Sequence, residues 1–464
     1  MNDRGTHVFT DPFDEGPVSR PGMADRRLDI WHCRTHDGRR NWQPLKRIWK
    51  GYTGALNSSI QLRNGRLVLP FSCLTPRSWK DRGDGLDAFW YVGQLFSTVV
   101  FSDDGGDTWE QSSSQLKVHT PSIGLYGACE PVVLELLDGR VWMLIRTQLG
   151  RLYESFSDDG SDWSHPRPTK LISSDSPVGL VRLADDRVVL LWNKCLRFPY
   201  AHGGRHVLHA AISEDDGQTW IGHREVARDP LRHQPPPPGG DFGTAYPFPA
   251  VMADGRVIVT TGQGKGRIAI VVIDPDWLYG TRQEENFATD LEQWSVFGCR
   301  GVELQAHPER QGAQVLSIAR TDDQWPAAAV WNFPAGARGT LRLRLCLQEG
   351  SSGAQLMLAD HFSVPFEPED VLNASFTVTI APTGELSGGS RLEIGKWCRL
   401  QLEWDVGRRL CELSLDGDAI GTLPLLRDSE GVCYLRLKSA ATGTETGGLL
   451  VEHVDVEISS TRAH

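Results

Sequence analysis

The 464 residues contain no run of about 18 apolar side chains, so no segment is long and apolar enough to cross a bilayer as a helix. The opening "MNDRGTHVFTDPFDEG" has no apolar signal core, which gives the expectation of a cytoplasmic protein, or a secreted or periplasmic one should a leader precede it. Basic excess is missing as well. Against 59 Asp and Glu stand 48 Lys and Arg, a net charge of -11, which argues against nucleic acid or an anionic membrane as the main partner. The nine cysteines, Cys33, Cys73, Cys129, Cys195, Cys299, Cys346, Cys398, Cys411 and Cys433, form no C-x-x-C pair, so reduced and mostly buried thiols are expected and no structural zinc site follows. There is no G-x-x-x-x-G-K-[ST] and no G-x-G-x-x-G after a strand; "GQGKGR" at 262–267 reads as a glycine-rich turn. His202, His206, His209 and His233 lack a metal-ligand spacing, so neither metal nor cofactor is expected.

What is present is repetition. "SDDGGDTW" at 102–109 returns as "SEDDGQTW" at 213–220 and, shortened, as "SDDGSDW" at 157–163; "RTHDGRRNW" at 34–42 looks like a decayed further copy. Each clear copy follows a run with strand character, such as "FSTVVF" or "HVLHAAI", and its Asp-Gly core suits a tight turn. A second unit recurs as well: "SIQLRNGRLVLPF", "PVVLELLDGRVWMLI", "PVGLVRLADDRVVLL" and "PFPAVMADGRVIVTT", each two apolar runs joined by Asn-Gly, Asp-Gly or Asp-Asp, hence a β-hairpin. Paired hairpins at this period predict an all-β fold, a β-propeller of five blades, or six if the termini share one. Beyond about residue 280 the octets stop and strands such as "GTLRLRLCLQ" and "KWCRLQLEWDV" alternate as in a β-sandwich. The expected organisation is an extension at 1–27, a propeller at 28–280 and a sandwich (jelly-roll) domain at 285–464.

Propeller topology then sorts residues by face. The hairpin turns and the octets share one rim, so their aspartates are poor candidates for chemistry. The other rim collects Asn57, the loop at 72–91, "YGACE" and "RTQLGR" at 126–130 and 146–151, "SSDS" at 173–176, "NKCLRFPYAHGGRH" at 193–206, the loop at 228–246 and "GQGK" at 262–265. Its wealth of Arg, His, Asp, Tyr and Trp suits a polar, anionic ligand.

The octets resemble the Asp-box, S-x-D-x-G-x-T-W, of the sialidase superfamily, and the C-terminal strands look like a concanavalin or laminin-G sandwich. Sialidases use a tyrosine nucleophile activated by glutamate, an aspartic acid as acid/base and three arginines around the substrate carboxylate. "CEPVVLELLDGRVWMLIRTQ" is similar to the segment carrying the glutamate and one arginine, which implies Glu130 and Arg146; "GGRHVLHAAISEDDGQTW" implies Arg205; "GTAYPFPAVMADGR" implies Tyr246 as nucleophile. The family's Arg-Ile-Pro segment is absent, and with it one arginine and the usual acid/base aspartate. Asp175, ranked first, and Asp241 are the proposed substitutes, ahead of Asp84 and Asp87; Arg77, Arg82, Arg197 or Arg232 could replace the missing charge. Further substrate contacts are expected from Arg151, Asn193, His202 and Gln148. The resemblance implies a retaining exo-glycosidase releasing a terminal acidic sugar, sialic or a related ulosonic or uronic acid. The alternatives are a lyase on uronate-containing glycans, with Tyr246, His202 or His206 as base, and a non-catalytic carbohydrate-binding propeller.

Overall fold

Short strands and Asp-Gly turns alternate through the first 280 residues, and in the computed structural model they become five antiparallel sheets; residues 29–35, 41–50, 53–76, 93–120, 127–196, 204–234, 243–264, 266–366 and 372–459 are described. The first sheet pairs β1 (Ile30–His32) with β2 (Lys46–Trp49). The second runs β3 (Ile60–Gln61), β4 (Leu67–Pro76), β5 (Gly93–Ser102), β6 (Glu110–Gln111). The third runs β7 (Cys129–Glu135), β8 (Val141–Arg146), β9 (Arg151–Ser157), β10 (Arg167–Ile172). The fourth is formed by β11 (Gly179–Arg182) and β12 (Val188–Trp192), then, past the short β13 (Cys195–Leu196), by β14 (Val207–Ser213) and β15 (Ile221–Arg228). The fifth has three strands, β16 (Phe248–Val251), β17 (Val257–Thr261) and β18 (Ala269–Ile273).

Alternation along each strand gives every sheet two faces, and neighbouring sheets fill the space between them with apolar side chains. Ile30, Phe71 and Val100 lie between the first and second sheets, and Val68, Val99, Val133 and Met143 between the second and third. Val132, Leu144, Leu190 and Trp192 join the third to the fourth, and Leu191, Ala210, Val257 and Val259 join the fourth to the fifth. The fifth sheet's other face, where Thr260 is paired with Phe248 and Ile270, stays open, with Ile270 69% exposed. Four strands per sheet are expected from the repeats, and among the described residues the middle three sheets have four, the first has two and the fifth has three. In the fifth, the chain leaves after β18 through a 3-10 turn, Pro275–Tyr279, and the next strand, Arg282–Glu285, pairs with Leu449–Ile458 of the second half instead.

That second half is a β-sandwich of an eight-stranded and a five-stranded sheet, with Trp294, Trp331, Trp404 and Phe333 fully buried between them. Those three tryptophans are core. The sandwich is joined to the fourth propeller sheet by a parallel pairing of β13 with Phe362–Ser363 and by a buried polar chain. Lys194 N–H donates to His209 Nδ1 (3.2 Å), so His209 Nε2 carries the hydrogen toward Tyr434 Oη (2.6 Å), whose own hydroxyl donates to Glu225 Oε1 (2.6 Å). Burial, and then the Lys194 charge, hold His209 well below the ordinary imidazole value, which agrees with this neutral tautomer.

Candidate active site

The octets behave as staples. Thr108 donates through N and Oγ1 to the two oxygens of Asp104 (2.8 and 2.5 Å), and Gly106 N–H donates to Ser102 Oγ (2.8 Å). Thr219 and Asp215 repeat this at 2.8 and 2.5 Å, as do Ser161 and Asp159. The octets close the β5–β6, β9–β10 and β14–β15 connections, and Arg66 of the β3–β4 turn ion-pairs with Asp103 and Asp159. Turns and octets therefore share a rim, as the topology requires, and the opposite rim is left for chemistry.

On that opposite rim Glu130 sits at the start of β7, where the register with β8 shifts between Cys129 and Val132. The bulge turns its side chain off the strand's alternation, and its φ of 40° lies in the left-handed region. Tyr246, just before β16, also has a left-handed φ, 56°. Two non-glycine residues held in this sparsely populated region meet each other: Tyr246 O–H donates to Glu130 Oε1 at 3.1 Å. Ala55 N–H donates to the same oxygen at 3.2 Å, and Ser72 Oγ accepts the Glu130 N–H at 3.1 Å. The close approach of the 53–57 segment needs Gly54, because a Cβ there would stand 2.9 Å from Glu130 Cγ. Burial, and then the Glu130 charge, push the Tyr246 phenol up to about 12. The phenol thus keeps its proton, next to a carboxylate positioned to take it.

Arg146, the last residue of β8, ties the pair to a second carboxylate. Its Nη1 donates to Glu130 Oε2 and, at 3.4 Å, to Tyr246 Oη, while its Nε donates to Asp175 Oδ1 at 2.6 Å. Burial opposes its charge, yet Asp175 and Glu130 together hold the guanidinium well above its ordinary value. Gln148 Nε2 donates to the other Asp175 oxygen at 3.2 Å. Arg205 donates to Gln263 Oε1 (2.5 Å) and to the Asp175 carbonyl (3.0 Å), with its guanidinium carbon 5.6 Å from the Tyr246 ring centroid. Glu130, Arg146 and Arg205 therefore meet at the phenol, with Asp175 behind Arg146.

Six residues expected from sequence, Glu130, Tyr246, Arg146, Asp175, Arg205 and Gln148, form this one network. Others do not. Arg151 is exposed, and its Nη1 donates to the Thr169 carbonyl on β10 at 3.1 Å, so it faces the sheet's outer edge. Asn193 is fully buried as a brace: its Nδ2 donates to the carbonyls of Val207 (2.7 Å) and Thr244 (2.8 Å) while Ser176 Oγ donates to its Oδ1. Arg232 donates to the Glu292 carbonyl toward the sandwich. His206 is packed against Phe297 and Phe362 at the junction of the two halves. Arg197, His202, Asp241, Arg77, Arg82, Asp84 and Asp87 lie outside the described residues. Among the described residues no group of three or more His, Cys, Asp and Glu side chains is placed to hold a metal ion.

The model of the BNR repeat-like domain family matches residues 20–259, more than half of the chain. The chain belongs to that family. As a BNR repeat-like protein it is also similar in structure to a chain described as a sialidase, at 15% identity and a TM-score of 0.33, over 94% of this chain and 45% of that one. A Trypanosoma rangeli sialidase in complex with 2,3-difluorosialic acid, given as the covalent intermediate, is 13% identical with a TM-score of 0.34, over 96% and 79% of the two chains. NanB plus Optactamide is 18% identical with a TM-score of 0.36, over 52% and 34%. The BNR repeat-like chain thus spans under half the length of the first of these. No curated protein matches its sequence.

Proposed function

We propose that the protein is a retaining exo-glycosidase that releases a terminal sugar from a glycan, with Tyr246 as nucleophile and Glu130 as its base. One observation carries the reading: the phenol donates to a buried carboxylate at 3.1 Å, and both residues adopt left-handed backbone to meet. In the first step the Tyr246 proton passes to Glu130 Oε1 as the phenolate oxygen bonds to the anomeric carbon, and the bond from that carbon to the leaving oxygen breaks with its electron pair going to that oxygen, which takes a proton from solvent. Arg146, 3.4 Å from the phenol oxygen, stabilises the charge that develops there. In the second step water attacks the same carbon and releases one proton to solvent, the bond from that carbon to the Tyr246 oxygen breaks, and that oxygen takes back the proton held by Glu130; two displacements give net retention.

Asp175 is the acid/base candidate ranked first from sequence. Both its oxygens are engaged, one by Arg146 and the other by Gln148, so the reading gives it a positioning role. The resemblance to sialidases suggests an acidic sugar; the partners of Arg146 bear on that point and are taken up below. The test is Tyr246→Phe assayed with aryl glycosides. Loss of turnover with sugar binding retained supports the reading, and turnover equal to the parent's refutes it.

A further inference from the structure

We propose that Asp175 is a specificity-determining residue that turns this site toward neutral sugars and against carboxylate-bearing ones, an inference that rests on the Tyr246–Glu130 reading above. A guanidinium recognises a substrate carboxylate by offering it N–H donors along one edge. In this chain the Nε of Arg146 is already directed to Asp175 Oδ1 at 2.6 Å and its Nη1 to Glu130. Asp175 therefore occupies, from within the protein, an edge of Arg146 that an acidic sugar would need.

Several observations make that occupancy a built feature. Asp175 is 1% exposed and Arg146 7%, so the pair is withdrawn from solvent and little screened. The second Asp175 oxygen is held by Gln148, and the backbone carbonyl of the same residue accepts from Arg205. Asp175 thus organises both arginines: it neutralises one through its carboxylate and anchors the other through its carbonyl. Arg205 is further committed to Gln263 and lies over the Tyr246 ring.

The charges of this network are balanced by the protein itself. Bringing a third carboxylate beside Asp175 and Glu130 would set like charges together at a site of low dielectric, with the nearest guanidinium already committed. A sugar presenting hydroxyls meets no such penalty, because a hydroxyl can donate to a carboxylate as well as accept from a guanidinium. A tyrosine nucleophile fits this reading. A phenol avoids adding another carboxylate at the reacting centre, and here the anions it must coexist with are the protein's own.

The test compares neutral 4-nitrophenyl hexosides and deoxyhexosides with the matching glucuronide and sialoside, on the whole parent chain and on Asp175→Asn. Nitrophenolate release gives kcat/KM, and calorimetry with the corresponding free sugars gives affinity. The parent is expected to cleave and bind neutral sugars in preference. Asp175→Asn keeps the shape and can still accept from Arg146 Nε, but it removes the charge that neutralises the guanidinium and repels a substrate carboxylate, so the neutral-to-acidic ratio should fall at least about tenfold, equivalent to roughly 1.4 kcal/mol. A parent that prefers the sialoside or glucuronide overturns the inference, as does a folded Asp175→Asn chain with an unchanged ratio. Tighter binding of neutral than acidic sugars with no cleavage of any glycoside would instead refute the glycosidase reading and leave the role of Asp175 standing.

Discussion

Replacing Glu130 by Gln separates the charge of the proposed base from its shape. The amide can still accept from Ala55 N–H and Tyr246 O–H, now at 3.2 and 3.1 Å, but it cannot take the phenolic proton. General-base catalysis contributes about 10²- to 10⁴-fold, which at 1.36 kcal/mol per tenfold is roughly 2.7 to 5.4 kcal/mol of barrier. The phenol makes the upper part of that range the expectation. Its pKa stands at about 12, so almost no phenolate exists at neutral pH without a base to receive the proton. The same substitution removes one of the two carboxylates that hold Arg146 charged in a buried position, so some loss of stability accompanies it, with Asp175 remaining as partner. The assay is kcat/KM for an aryl glycoside carrying a good leaving group, where protonation of the leaving oxygen matters least, with a thermal melt to establish that the variant is folded. In parallel, the ultraviolet titration of Tyr246, obtained as the difference from Tyr246→Phe, should move down from about 12 once the Glu130 charge is gone. A folded Glu130→Gln chain that turns over within threefold of the parent would refute Glu130 as the base.

Gly54→Ala should disturb the same carboxylate from behind: the new Cβ meets Glu130 Cγ at 2.9 Å and Oε1 at 3.1 Å, and kcat/KM is expected to fall on the order of tens- to a hundredfold through misalignment, with the melting temperature little changed. Tyr434→Phe removes the donor to Glu225 and the acceptor for His209 between the two halves of the chain, a loss of about 2 to 4 kcal/mol that would appear as a lower thermal midpoint; an unchanged midpoint would mean that the chain of hydrogen bonds contributes nothing. His209 and His223 are both buried with pKa values well below 6.5, in each case from burial first and then Lys194. Below about pH 6.5 the unfolded chain takes up these protons and the folded one does not, so stability should fall as pH falls, by up to roughly 1.4 kcal/mol per pH unit for each histidine, and His209→Gln should flatten that slope.

The rim proposed to carry chemistry was legible because it follows from counting strands. Once the Asp-Gly turns and octets are assigned to one side, Glu130, Arg146, Asp175, Arg205 and Tyr246 fall on the other, and the structure joins them through hydrogen bonds. Strand counting places backbone but does not aim side chains. It could not tell that Asn193 turns inward to brace Val207 and Thr244 or that Arg151 turns outward to Thr169, although both flank the same rim. Nor could it find the left-handed φ of Glu130, because glycine is the residue that advertises such a position and none stands there. The contribution of Gly54 and Ala55 was hidden for a related reason. Their partner is 75 residues away on another sheet, and only the closeness of two backbones reveals why the smallest side chain is required. That the strand after β18 does not join the fifth sheet reflects a competition that local patterning does not contain: Arg282–Glu285 finds an open partner in Leu449–Ile458, about 170 residues downstream.

The two halves are linked through the same elements that shape the proposed site. Lys194 and β13, which contact the sandwich, directly follow Asn193, the brace that fixes Val207 and Thr244. Thr244 in turn donates its N–H to the carbonyl of Arg205 at 2.6 Å, and Tyr246 is two residues further on. Gly243 lies so close to that carbonyl that a Cβ would stand 2.0 Å from it, which fixes the path of the chain into Tyr246. Loosening the sandwich therefore has a defined route to the phenol: through β13 to Asn193, from Asn193 to Thr244, and from Thr244 to the position of Tyr246 against Glu130. On this account the sandwich supports activity by holding the fourth sheet and need not touch the sugar itself.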